Sequence, residues 1–242
     1  MPSAISPSSR TNQLSVTNSK IRLRQTLKSV KLWRKSLPDT IPIYIGDNTQ
    51  GWIILMGEIK KLNMKNVFVT HVNPPNSDNF ARGGAGYAET LTILQTLEIF
   101  SLENKSFIMK SNARYFIFNW KLIIDRLPKD FDFAAWPSPD LNFLETGFYV
   151  AKVEALVKGL PCILETIDET KDIFVEHLYL EHVTQRKEKL TVFQFAPAIY
   201  GQRGHTGRKE NYSSEAFAIY AIVFMRNCFI HLVRTRLFSK PK

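Results

Sequence analysis

Between residues 20 and 120 the apolar pattern switches repeatedly from a helical period to short strand-like runs, and this switching narrows the fold more than any other feature of the chain. The segment 20–36, KIRLRQTLKSVKLWRKS, gathers Ile21, Leu23, Leu27, Val30 and Trp33 mainly on one helical face. Arg and Lys fill the other face, which predicts a basic amphipathic helix. Pro38 ends it, and IPIYIGDNT follows as a short buried strand over 41–45. A helix over 51–62 and a strand over 66–70 (NVFVT) come next. A Pro/Asn-rich turn then leads to a Gly-rich loop that enters a helix with apolar positions at Leu91, Leu94, Leu97 and Ile99. Another apolar run opens at Phe107. Helix and strand in alternation predict an α/β fold, a mostly parallel central sheet flanked by helices. Further strands are expected at 132–136 and 146–151, and a helix near 169–183.

With 242 residues, 44% of them hydrophobic, the chain can build one sizeable core and reads as a single main domain. Its net charge of +10 favours anionic partners without choosing among them. Cys162 and Cys228 have no paired spacing, which argues against a disulfide framework or a zinc site. No stretch reaches 18 uninterrupted apolar residues, and the first 20 residues carry no apolar leader core. The expected location is therefore cytoplasmic. A basic nucleic-acid-binding domain is the less favoured alternative, and nucleic acid is not an expected partner, because most aromatics alternate into strand or helix cores instead of interleaving with cations on one face.

In open α/β sheets, ligands bind beyond the carboxyl ends of the strands. The strand at 41–45 runs into Gly46-Asp47-Asn48-Thr49. Asp47 there can accept from a nucleoside, or it can bond its own turn backbone. Arg82, Gly83, Gly84 and Gly86 precede a helix, where glycine lets the backbone approach a phosphate. Their spacing matches neither the dinucleotide fingerprint nor the P-loop. In FIMKSNARYFIFN (107–119) an apolar run stops at Lys110 and Arg114. Two cations at one locus repel unless an anion sits between them, and a diphosphate would satisfy both.

KSNARY resembles a degenerate Lys-x-Thr-Gly-Arg-Tyr motif, which marks a family of bacterial and viral glycosyltransferases linked to capsule and lipopolysaccharide synthesis. Further matches occur in the same order. RLRQTLKSVKLWRKSLPDTIPIYIGDNT is similar to the family's Arg-x-x-Gln-Thr-Leu helix and its Asp-Asn-Ser strand end. GGAGYAETLTIL is similar to its Gly-Tyr-Gly-Glu helix start. VEHLY resembles its Glu-His pair, and PAIYGQRGHTGRKE its Gly-x-Ser-Gly-x-Thr-Gly loop.

The resemblance spans roughly residues 20–212 and implies a single GT-A-like, Rossmann-like domain over 19–212. It implies transfer of a sugar from a nucleotide-sugar donor to the hydroxyl of a glycan or lipid-linked acceptor. Asp47 and Asn48 would lie near the nucleoside. Lys110 and Arg114 would stand where many GT-A enzymes hold a divalent metal, so the favoured reading is a metal-free site with two fixed cations stabilising the leaving diphosphate. Glu176 would be the general base, with Glu181 and His182 as alternates. Glu89 would anchor the sugar. The loop carrying Gly204, Thr206 and Gly207 would fold over the diphosphate as a lid. Asp130-Phe131-Asp132 is a literal Asp-x-Asp, but it precedes a strand instead of ending one.

Residues 1–18 read as a flexible arm, and the family's apolar first strand is replaced there by SAISPSSRTNQLS. Asn112-Ala113 stands where the motif has Thr-Gly, and Arg203 and His205 stand where the loop has serines. These departures keep open a catalytically inactive relative that acts as a binding subunit. Residues 213–242 read as a basic amphipathic helix able to lie on an anionic membrane.

Overall fold

A computed structural model describes residues 1–4, 18–102, 107–138, 142–186, 189–202 and 209–210. Helix α1 (Ser19–Ser36) starts where the Asn18 side chain accepts from the Ile21 N–H at 3.1 Å, an N-cap that satisfies one of the free first-turn donors. Its buried stripe includes Val30 and Trp33, and its last turn carries Arg34 and Lys35 near the helix's negative end. Then follow β2 (Ile43–Asp47), α2 (Trp52–Lys61) and β3 (Val67–His71), each within two residues of its sequence expectation. β2 and β3 pair in parallel.

The strand that the sequence hides is β1 (Pro2–Ser3), which pairs in parallel with the other edge of β2. Met1–Ala4 therefore do not belong to a flexible arm. The Met1 and Ser3 carbonyls accept from the N–H groups of Gly46 and Asn48, and the Pro2 carbonyl accepts from the Ala113 N–H at 3.1 Å. The terminal ammonium donates to the Tyr44 carbonyl at 2.7 Å, and burial lowers its pKa to about 5. Backbone hydrogen bonds to β2 replace the apolar side chains that a sequence reading looks for. Residues 5–17 lie outside the described residues, as do 213–242.

The second half of the sheet is built on β7 (Leu144–Lys152). It lies antiparallel between β4 (Phe107–Ser111) and β6 (Phe133–Pro137), and β6 pairs in parallel with β8 (Leu190–Val192). The Ala113–Pro2 bond brings the end of β4 to the edge of β1 and so joins the two halves. A smaller ribbon of β5 (Phe116–Ile117), β9 (Ile199–Gln202) and β10 (Lys209–Glu210) is antiparallel throughout. Helix α4 (Trp120–Ile124) follows β5.

Both faces of the sheet are covered, which gives the expected α/β architecture. Along β7, Tyr149 and Ala151 point into a core shared with α3 (Ser77–Ile99), α5 (Val153–Thr166) and α6 (Val175–Gln185). Phe148 and Val150 point into the opposite core, with Val30 and Trp33 of α1 and Leu55 and Ile59 of α2. This alternation is the period-two geometry of a strand buried on both sides.

Three elements depart from the sequence reading. Helix α3 begins at Ser77, capped by Asn76, and continues through the glycines instead of starting after them. A kink at Gly84 (φ 51°, ψ −142°) divides it, a conformation that glycine adopts without steric cost. Helix α5 was not read from the sequence, and Pro161 within it disguises its pattern. The helix expected near 169–183 is a short turn over Glu169–Lys171 followed by α6 from Val175. Among the described residues no helix is long and apolar enough to cross a membrane.

Candidate functional site

The carboxyl ends of β1, β2 and β4 meet on one side of the sheet. Asp47 ends β2, is fully buried, and accepts from the Thr49 N–H at 2.9 Å and from the Thr49 hydroxyl. The alternative of a turn-bonded Asp is thus realised. Asn48 follows, its N–H 3.4 Å from the Ser3 carbonyl.

Lys110, at the end of β4, is 2% exposed. Its ammonium donates to the Glu89 carboxylate, to Asn112 Oδ1 at 2.7 Å and to the Thr146 carbonyl. An ammonium has three N–H donors, and all three are used. The reading of Lys110 as a cation facing a diphosphate is therefore corrected. The anion that a buried strand end requires is supplied from within the chain by Glu89 of α3. Glu89 in turn serves that pair rather than standing alone as a sugar anchor.

Arg114 lies differently. Its Nη1 is 3.5 Å from Gln25 Oε1 of α1, and it is half-buried. Burial lowers its pKa from the ordinary arginine value, while Tyr115 and Glu89 oppose the shift. One helical turn before Gln25, Arg22 is 4% exposed, and its Nε donates to the Ala4 carbonyl just past β1. Its pKa is lowered to about 10, first by burial and then by the charge of Arg114, with Asp47 pulling the other way.

Glu176 occupies the first turn of α6, and its Oε1 lies 3.5 Å from the Thr146 hydroxyl. Thr146 thus touches Lys110 through its carbonyl and Glu176 through its side chain. Burial pushes the Glu176 carboxyl up. Its own N–H pulls back, Glu89 and Glu169 push further, and Lys110 opposes them. The alternates point elsewhere: Glu181 accepts from Gln185 at 2.7 Å on an exposed face, and His182 packs beside Gly159.

The glycine stretch is the second correction. The Gly86 N–H donates to Glu169 Oε1 at 3.1 Å, and a Cβ on Gly84 would come within 2.0 Å of Glu169 Oε2. Gly83 packs against Tyr87 and Ile167. A carboxylate of the chain itself thus occupies the position foreseen for a phosphate, and burial raises its pKa. Nothing in the spacing of Glu169 from the glycines marked it in the sequence. Arg82 donates to the Leu164 carbonyl at 3.0 Å, near the end of α5. Gly204, Thr206 and Gly207 lie outside the described residues. The strand before them, β9, places Gly201 against the Arg114 carbonyl.

Among the described residues no group of three or more His, Cys, Asp or Glu is arranged to hold a metal. Asp130 pairs with Lys189, and Asp132 with Lys152 at 2.7 Å, so the literal Asp-x-Asp is held in surface ion pairs.

No family model and no curated protein matches the chain. Among solved structures it is similar to a proposed nucleotide-diphospho-sugar transferase from Desulfovibrio desulfuricans G20, with TM-score 0.50 and 10% identity over 79% of this chain and 77% of that one. It is also similar to S. aureus TarS 1–349 in complex with UDP-GlcNAc (TM-score 0.45, 12% identity, 89% and 72% of the two chains). A glycosyltransferase involved in glycosylation of the PBCV-1 major capsid gives TM-score 0.43 at 14% identity, over 62% and 80%. At 10% identity the likeness to the Desulfovibrio protein speaks for the fold alone.

Proposed function

We propose that the chain transfers a glycosyl group from a nucleotide-sugar donor to a hydroxyl acceptor, with Glu176 as general base. The observation that carries this reading is the linked set Glu89–Lys110–Thr146–Glu176 beside the strand ends that hold Asp47 and Arg114. A half-buried carboxyl whose pKa is raised is thus linked through Thr146 to Lys110 at a strand end, on the side of the sheet where α/β proteins bind ligands. The fold shared with the Desulfovibrio protein supports a nucleotide-sugar donor.

In this mechanism Glu176 takes the proton of the acceptor hydroxyl as its oxygen attacks the anomeric carbon. The bond from that carbon to the diphosphate oxygen breaks, and its electron pair leaves with the nucleoside diphosphate. A carboxyl poised above its ordinary pKa is a stronger base for this step than a solvated one. The acceptor in this reading is a glycan or lipid-linked sugar at the cytoplasmic membrane face, consistent with the basic, apolar sequence of 213–242.

A panel of nucleotide sugars assayed for hydrolysis and transfer tests the proposal. Turnover of one donor is expected, and Glu176→Gln should lower it about 10²- to 10⁴-fold while donor binding persists. Wild-type transfer by Glu176→Gln would remove Glu176 from the role. Absence of binding by every donor would remove the activity.

A further inference from the structure

With Lys110 committed to Glu89, Thr146 and Asn112, the site must meet a departing anion with other groups. Helix α1 supplies them. Arg22 and Gln25 are three residues apart and so lie on one helical face. Gln25 contacts Arg114, and Arg22 is anchored at the end of β1 through the Ala4 carbonyl. Thus α1, β1, β2 and the turn after β4 converge on one place. Arg22 lies there against the Ala4 carbonyl, next to the Ser3–Asp47 pair of β1 and β2, and Arg114 reaches it through Gln25.

We propose that Arg114, backed by Arg22 and steadied by Gln25, is the diphosphate seat of this site. Arg114 is the half-exposed member and makes the contact, while Arg22 lies behind it and adds positive potential. The proposal rests on the glycosyl-transfer reading for its natural ligand, the diphosphate of a nucleoside diphosphate. Its chemistry is testable without that reading.

The physical case is one of balance. The charge of Arg114 opposes that of Arg22, and burial draws both guanidinium groups out of water. A bound dianion relieves this repulsion, and arginine's planar fork grips phosphate oxygens in pairs. The same argument gives a role to Gln25, whose carbonyl oxygen orients Arg114 without cancelling its charge.

The probe is inorganic pyrophosphate, titrated calorimetrically into the full chain at low and at moderate salt. Wild-type protein should bind it, more weakly as salt rises. Arg114→Gln should weaken binding about 10- to 100-fold, the effect of losing one charge-assisted contact. Arg22→Gln should weaken it roughly 3- to 10-fold, and Arg22→Lys, which keeps the charge, should stay near wild type. If Arg22→Gln does not fold, the comparison of Arg114→Gln with Arg114→Lys carries the test: the lysine variant, which keeps the charge but not the fork, must bind more tightly than the glutamine variant and more weakly than wild type.

Unchanged pyrophosphate affinity in Arg114→Gln overturns the seat, and so does absence of wild-type binding at millimolar concentration. Unchanged affinity in a folded Arg22→Gln overturns the part played by Arg22, leaving it as an anchor for β1. Pyrophosphate binding that depends on both arginines, with no donor turned over, upholds the seat and defeats the glycosyl-transfer reading. Donor turnover with arginine-independent pyrophosphate binding does the reverse.

Discussion

Replacing Lys110 by methionine separates two accounts of the strand end. If the lysine faced a ligand, its loss would weaken donor binding and leave stability nearly unchanged. In the structure it is 2% exposed and holds Glu89, Asn112 and Thr146 together, so its loss strands a carboxylate and a carbonyl. Breaking a buried ion pair by removing one partner costs about 3–5 kcal/mol. The Glu89 side chain keeps 27% of its exposure, so water recovers part of that cost and about 3 kcal/mol is expected. For a chain of this size the loss should lower Tm by roughly 6–12 °C. Urea unfolding of wild type, Lys110→Met, Glu89→Gln and the double variant gives the coupling directly. A coupling of about 2 kcal/mol is expected, because the double variant removes both charges together. A Lys110→Met protein within about 1 kcal/mol of wild type, with near-zero coupling to Glu89, would refute the internal-pair argument.

Gly84→Ala should cost about 1–3 kcal/mol, because an alanine there is strained by φ 51° and its Cβ meets Glu169. In a Glu169→Ala background the steric part should vanish, leaving about 1 kcal/mol by urea midpoint. The Tyr149 and Tyr179 hydroxyls are buried 3.2 Å apart, so either Phe substitution should cost about 1 kcal/mol and the double variant little more. Because the folded-state pKa of Glu176 is raised, its stabilising contribution is present below the unfolded carboxyl value and is lost as pH rises through the folded one. Glu176→Gln should therefore gain stability over wild type at pH 7 but not at pH 4, measured by urea unfolding. By the same shift, the acid limb of the wild-type kcat/KM profile should lie above the ordinary carboxylate range and should be absent in Glu176→Gln.

Periodicity in the sequence was enough for α1, β2, α2 and β3, whose amphipathic or alternating patterns are local properties of the chain. It also isolated the segments that meet at the site. The helix with Gln25, the helix with Glu89, the strand end with Lys110 and Arg114, and the helix with Glu176 were all marked as separate stretches. What the sequence could not give was their pairing. Spacing says that Lys110 needs an anion, but not that Glu89, 21 residues earlier, supplies it. Arg22 looked like one more cation on a solvated helix face until burial set it beside Arg114. The Gly83–Gly86 stretch looked open to phosphate until the turn after α5 brought Glu169 onto it. Pattern along a chain records which side of an element faces the core. The partner of a buried charge is fixed by distances between elements, and those exist only once the sheet has brought the strand ends together.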